Sequence, residues 1–249
     1  MATVDRALAV LRLFAGEQSE WTVEAAAREL NLAQSTAYEY FRSLVEGGLI
    51  STYKTGRYVV GPAIIELDRQ TRRRDPLILA AREEMDALSA SLSGADDVVL
   101  LCRLYKLTVM CVDQRAPASP IQTVSYERGR PMPLARGAAS KVILAHLPPR
   151  VLRRYYDQTH GDGSGPTWSE FRQPLRSIRK ARVSITHGEL DPGRIGISSP
   201  VFAAEGEVVG SIGLVISETS TVPRDVAPDV QARVVEAGER ISAALRNGG

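Results

Sequence analysis

The chain has 249 residues, enough for one large domain or two modest ones, and two fit ordinary domain sizes better. Its 44% hydrophobic and 24% charged residues are those of an ordinary folded chain, which excludes a disordered or fibrous protein. A formal net charge of +2 neither demands nor excludes a nucleic-acid partner, so the distribution of charge matters more than its total.

Three helices are expected first. Asp5 is placed to cap a helix in which Leu8, Leu11 and Ala15 recur at helical spacing, with Gly16 as its stop. Thr22 is placed to cap a second, short helix through Leu30, with Trp21 and Ala26 as a hydrophobic staple. After "NLA", the residues Ala37, Phe41, Leu44 and Val45 form one apolar stripe that ends at Gly47 and Gly48. Two β-prone runs follow, residues 49–53 and 57–60, joined by a Lys-Thr-Gly turn. Three helices and a hairpin make a winged helix-turn-helix over residues 1–61.

Residues 62–74 read as a linker helix carrying Ile64, Ile65 and Leu67, with a basic end at Arg72, Arg73 and Arg74. Asp75 then looks like a cap with Pro76 at the first helical position, and Leu77, Ala81, Met85, Leu88 and Leu92 predict a long amphipathic helix. A domain boundary near residue 75 follows, leaving 75–249 as a second domain. From Asp97 the period changes to that of strands: "VVLLCRL" and "LTVMCVDQ" form a hairpin about Tyr105 and Lys106, and "IQTVSY" is a third run. "GAASKVILAHL" is a helix, and "PTWSEFRQPLRSIRKAR" is one in part, with Pro174 expected to break or start it. The chain closes with "IGISSPVF", a Glu205-Gly206 turn, "VVGSIGLVIS" and a helix from about Pro228 to Arg246. The fold class is α+β, with an antiparallel sheet flanked by helices in the second half.

No apolar run approaches the roughly 20 residues of a membrane-spanning helix. The N-terminus has no basic leader and carries Asp5 and Arg12 through its apolar pattern, so a cytoplasmic location is expected. Cys102 and Cys111 sit in strand-like runs and read as buried thiols, not as a disulfide framework.

In a helix-turn-helix the second helix enters the major groove, so polar side chains belong at its start and outer face. Gln34, Ser35, Thr36, Tyr38, Glu39 and Arg42 meet that requirement within "LNLAQSTAYEYFRSL". Gln can pair with adenine, Ser and Thr can reach phosphates or bases, and Glu39 can accept from a cytosine amino group. Residues 1–61 nevertheless hold six basic against seven acidic side chains, a formal −1. Phosphate contacts therefore fall to the wing residues Lys54 and Arg57 and to the arginines at 72–74, and an oligomer engaging two or more half-sites is expected.

These segments resemble the IclR family of bacterial transcription regulators nearly end to end. "DRALAVLRLF" is similar to the family's first helix, "LAQSTAYEYFRSLVEGGLI" to its recognition helix, and "TGRYVVGPAIIEL" to its wing and linker start. "GRPMPLARGAASKVILAHL", with its Ser140-Lys141 step, and "HGELDPGRIGISSPVFAAEGEVVGSIGLVIS" resemble segments of its effector domain. The resemblance implies a C-terminal GAF/PAS-like ligand-binding domain, dimers through the DNA-binding halves, and tetramers. Gln34 and Glu39 stand where the family commonly has Lys and Arg, which implies a different operator. Thr186, Gly196, Gly213 and Val215 match effector positions that commonly bear Cys, Ser or Asp, which implies a ligand other than a small oxo-acid.

Gly137 precedes a helix whose first amides, Ala138 and Ala139, suit an anion. Small side chains there and at Gly196 and Gly213 leave room for an aromatic acid, or the glycines serve turn and strand packing, and Arg194, adjacent by resemblance, can pair with its carboxylate or lie on the surface. A catalytic reading rests on His160, Asp162 and Ser164, which share one Gly-rich loop and look like a local turn. His146 reads as a helix-capping residue and His187 stands alone, so no metal set and no cofactor is expected. The combined expectation is a ligand-responsive regulator that binds double-stranded operator DNA, represses a catabolic operon and senses a small organic acid. The alternatives are an activator of the same architecture, or an enzyme or ligand carrier that keeps a helix-turn-helix for dimerisation.

Overall fold

The computed structural model describes residues 3–92, 94, 97–116, 124–163, 165–203, 206–218 and 228–248. Two compact units divide between Asp75 and Pro76.

In the first unit, α1 (Thr3–Leu13), α2 (Val23–Glu29) and α3 (Gln34–Glu46) precede the antiparallel hairpin β1 (Ile50–Lys54) and β2 (Arg57–Val60), and α4 (Pro62–Arg74) follows. Asp5 lies in the first turn of α1, not ahead of it, because the helix already starts at Thr3. The buried face of this stretch is Val10 and Phe14, while Leu8 and Ala15 are exposed. Thr22 does cap α2, its side chain accepting from the Ala25 amide at 3.2 Å. Trp21 exchanges backbone hydrogen bonds with Tyr58 and so ties the start of α2 to the wing. On α3 the apolar stripe is Ala37, Tyr40, Phe41 and Leu44; Tyr40 turns inward, and Val45, expected in the stripe, is exposed. Phe41 meets Phe14 and Tyr58, so all three layers of the unit share one ring cluster. No residue of α4 is buried, and Ile65 and Leu67 are exposed.

The second unit is built on α5 (Pro76–Ala90), β3 (Val98–Tyr105), β4 (Thr108–Arg115), β5 (Pro131–Pro133), α6 (Ala138–His146), α7 (Pro149–His160), α8 (Trp168–Ala181), β6 (Ser184–His187), β7 (Arg194–Phe202), β8 (Val208–Ser217) and α9 (Pro228–Asn247). Its strands form one antiparallel sheet in the order β5-β4-β3-β8-β7-β6. Both faces are covered, so successive residues of the central strands feed different cores. On β3, Val98, Leu100 and Cys102 join one core with α6, α7 and α8, while Val99 and Leu101 join the other with α5 and α9. That is why β3 reads as a continuous apolar run. Each such Val, Leu or Ile contributes about 1.5–3 kcal/mol by leaving water. Cys102 and Cys111 face each other across β3 and β4 as buried free thiols.

Three expectations for the second unit need correction. The strand placed at "IQTVSY" does not form over its described part: Val124, Ser125 and Tyr126 are outside any strand, and residues 121–123 lie outside the described residues. The strand that pairs with β4 is β5, and its two prolines are tolerated because it is the sheet's edge. The segment after Pro148 forms α7, so His160 ends a helix instead of lying in a loop. Pro174 neither breaks nor starts α8, which runs through it from a Thr167–Glu170 capping box. Pro174 is on the exposed side, where the carbonyl it deprives of a donor meets water, and Leu175 beside it is buried. Glu205 of the expected turn before β8 lies outside the described residues.

His146 closes α6 as a capping residue, its Nδ1–H donating to the Val142 carbonyl at 2.8 Å with the ring edge-on to Phe202. Burial, reinforced by the nearby Arg179 and Arg182, lowers its pKa below the usual histidine value. The fold thus favours neutral imidazole, a contribution that is complete above the ordinary histidine range and is lost as pH falls through the depressed value. Denaturant unfolding at a series of pH values from about 7.5 to about 5 is expected to show stability declining on acidification, and less steeply in His146→Gln.

Candidate functional site

The outer face of α3 is polar because its inner face is committed to the core. Gln34, Ser35, Tyr38, Glu39 and Arg42 are exposed and Thr36 is half-buried. Two of them are already engaged: Gln34 Nε2 donates to Glu24 Oε1 at 3.3 Å and the Tyr38 hydroxyl donates to the same oxygen at 2.9 Å. The bond raises the Tyr38 pKa, and the Glu24 backbone amide first and the Tyr38 hydroxyl second lower that of Glu24, so a carboxylate charge on α2 sits at the start of α3. Arg42 approaches Glu46 at 3.7 Å on the same helix. A shallow groove between α3 and the wing is lined by Tyr38, Glu39, Arg42, Thr52 and Tyr58 among others. On the wing, Lys54 lies over the Tyr53 ring and is exposed, whereas Arg57 is paired with Glu20.

In the second unit Ala138, Ala139, Thr186, Arg194, Gly196 and Val215 line one cavity, where the N-terminus of α6 meets β6, β7 and β8. Gly213 does not line it. A Cβ on Gly213 would collide with Ser198 Oγ and the Ile197 carbonyl, so the room left by this glycine is taken by its neighbour on β7. Gly196 is different: its open side faces Thr186 and Ala138, and a Cβ there would lie 2.9 Å from Thr186 Oγ1 and 3.3 Å from Ala138 Cβ. The cavity volume is about 20 Å³, the space of a single water, so the small side chains do not by themselves leave a ring-sized hollow.

What fills it was hidden in the sequence. Tyr126 enters from the segment after β4, and its hydroxyl meets the Ser140 amide (3.1 Å), Ser140 Oγ (2.8 Å) and the Arg136 carbonyl (3.1 Å). Burial pushes its pKa well up, so the phenol stays neutral. Gly137 has φ +81° and ψ 153°, a region essentially reserved for glycine, and a Cβ there would strike Leu190 and Tyr126. Leu190 belongs to a strap, residues 188–193, that is latched at three points. Glu189 pairs with Lys141 at 2.7 Å, its carbonyl accepts from Arg136 Nη2 at 2.9 Å, and Asp191 accepts from the Ser125 amide and hydroxyl, the latter at 2.6 Å. The charged groups of the lining are Arg194, Glu189 and Asp191, each with interactions of its own. Leu190 and Asp191 fall in a turn-rich stretch and Tyr126 at the end of "IQTVSY", where no periodicity singles them out.

The rival catalytic set does not assemble among the described residues. His160 stacks on Tyr156 at 5.2 Å and takes a hydrogen bond with Thr159, Asp162 is in the turn beyond, and Ser164 lies outside the described residues. No three His, Cys, Asp or Glu side chains among the described residues are grouped to hold a metal ion, and no helix there is long and apolar enough to cross a membrane.

Known proteins match both units. Residues 3–52 match the family model described as the IclR helix-turn-helix domain, and residues 70–243 match that of the bacterial transcriptional regulator IclR C-terminal region. A probable HTH-type transcriptional regulator, ArcR of Halobacterium salinarum, is 23% identical over 90% of this chain and 86% of its own. An IclR regulator from Alicyclobacillus acidocaldarius has the same fold, with a TM-score of 0.78 at 21% identity over 98% of each chain. An IclR homologue from Microbacterium hydrocarbonoxydans, complexed with 4-hydroxybenzoate, gives 0.75 at 18% identity over 99% of this chain and 100% of its own. These families and relatives are transcriptional regulators and not enzymes. With an N-terminal helix-turn-helix DNA-binding domain and a C-terminal effector domain, the chain belongs to the IclR family of bacterial transcriptional regulators.

Proposed function

We propose that the chain is a cytoplasmic, acid-sensing repressor of a catabolic operon. Residues 1–61 form its DNA-binding domain, 62–74 its linker helix and 75–249 its effector-binding domain. The observation that carries the sensing half is the cavity at the α6 N-terminus, where the amides of Ala138 and Ala139 have no acceptor among the described residues and Arg194 stands on the wall. A helix N-terminus with a guanidinium beside it suits a carboxylate. The effector is a small organic acid, and an aromatic one is favoured by the structural relative that holds 4-hydroxybenzoate. Since the closed cavity is water-sized, an acid enters only when the 188–193 strap lifts and its latches to Lys141, Arg136 and Ser125 part. Ligand binding is thereby linked to a local rearrangement, and a coupling of about 1–3 kcal/mol changes operator affinity roughly 5- to 150-fold.

On the DNA side, Gln34, Ser35, Thr36, Tyr38, Glu39 and Arg42 read the major groove of the operator while Lys54 and Arg57 contact phosphate. Operator binding requires Gln34 and Tyr38 to leave Glu24, and Arg57 to leave Glu20. A homodimer, or a tetramer of such dimers, presents paired half-sites. Exposed Val4 and Leu8 on α1 and Ile65 and Leu67 on α4 support contact between copies through the first unit.

The deciding experiment is a gel-shift titration of the full chain on DNA upstream of its own gene and its neighbours, at low salt, with and without a panel of aromatic and aliphatic acids. Specific binding relieved by one acid is expected; no binding at low salt under any condition would overturn the assignment. Lys54→Ala should weaken binding to all sequences and reduce the salt slope by about one. Arg42→Ala should cost about 1–3 kcal/mol on the operator, and neither change should shift the melting temperature. Gly196→Ala places a methyl in the small room the cavity has; affinity for the active acid should fall roughly tenfold or more while DNA binding without acid is unchanged.

A further inference from the structure

We propose a second small-molecule site in the groove between the end of α6, the start of α7 and α8, taking a single-ring aryl carboxylate. It is the opposite end of α6 from the cavity above and does not depend on that assignment. The groove has a cavity volume of about 150 Å³, several times larger than the other, and a cavity of that size holds a benzene ring. Its floor is apolar: Leu147, Leu152 and Leu175 are all buried. Trp168 forms one wall, with the Arg172 guanidinium held over its indole at 5.1 Å.

The rim is strongly and one-sidedly charged. Arg172, Arg176 and Arg179 lie at i, i+4 and i+7 on α8 and so share a face, and no carboxylate lines the groove. None of the three is ion-paired among the described residues; Arg179 reaches only the Ala145 carbonyl, at 3.4 Å. Like charges at this spacing oppose helix formation, and an anion among them relieves the repulsion. α7 begins at Pro149 on the edge of the same groove and adds the positive end of a helix dipole. An apolar ring-sized floor under three guanidiniums matches a ligand with one aromatic ring and one carboxylate, the carboxylate received in bidentate fashion by Arg176 and Arg179.

The chain has two tryptophans, Trp168 in this groove and Trp21 in the other unit, so their indole N–H signals separate this site from all others. The test titrates the 15N-labelled full chain with sodium benzoate and, separately, with benzyl alcohol as a neutral molecule of similar size; Trp168→Phe assigns the signals. Benzoate should move the Trp168 signal saturably and leave that of Trp21 in place, with benzyl alcohol binding at least tenfold more weakly. Arg176→Gln with Arg179→Gln, both exposed and outside the core, should weaken benzoate by roughly tenfold or more at an unchanged melting temperature, as expected for loss of a charge-assisted pair. Arg176→Lys should retain part of the binding. Failure of the Trp168 signal to move, equal binding of the neutral molecule, or unaltered binding by the double variant would each overturn the proposal. Gly196→Ala, which alters the other cavity, should leave the Trp168 response to benzoate unchanged, so the two sites stand or fall separately.

Discussion

Burial of the central sheet on both faces is the constraint from which the second unit follows. β3 and β8 are flanked by strands on either side and roofed above and below, so almost every residue on them must be apolar or small. On the α5/α9 side this gives a dense layer of Ile195, Ile197, Ile212, Leu214 and Ile216. On the α6 side β7 and β8 instead offer Gly196, Ser198, Ser211 and Gly213, small enough for the α6 backbone to approach until Ser211 Oγ bonds the Ala139 carbonyl at 3.2 Å. The site is thus a property of asymmetric packing. The cavity exists where the apolar filling lapses, and the strap with Leu190 stands in for the missing side chains.

The first unit meets its own constraint differently. Its core rests on Phe41 between Phe14 and Tyr58, which fixes the outward direction of the polar face of α3 and the hairpin beside it. That face is held in reserve by internal acids. Glu24 engages Gln34 and Tyr38, Glu20 engages Arg57, and Glu46 approaches Arg42. On the proposed reading, operator contacts replace several of these internal bonds together, while Lys54, which faces no acid among the described residues, is already open to phosphate.

Much of this was legible in the sequence, and the exceptions have physical causes. The helices α2, α3 and α5 declare themselves by an apolar stripe and an end signal, α6 by an apolar run behind Gly137, and the long strands β3, β4, β7 and β8 by apolar runs between turn residues. α7 was missed because its arginines and tyrosines present a polar string in which only Leu152 and Tyr155 are buried. Pro174 misled because its cost falls on the solvent side of a helix already fixed by a capping box. β5 was invisible because an edge of three residues with two prolines is selected by its position, not by propensity. Six side chains marked as a ligand set do converge, yet the residues that close the cavity, Tyr126, Leu190 and Asp191, come from turns and are brought in by tertiary contacts alone. Gly213 shows the limit of reading size as space: whether a glycine leaves a hole depends on who leans over it.

The facing thiols of Cys102 and Cys111 have a consequence of another kind. They are the only cysteines in the chain, both are fully buried, and both belong to the second unit. An alkylating reagent reaches them only when the hairpin of β3 and β4 parts from its roof. Labelling rate is therefore a clock for the opening of the sensing unit alone, blind to fraying of the helix-turn-helix, and it runs on the native chain without any introduced probe.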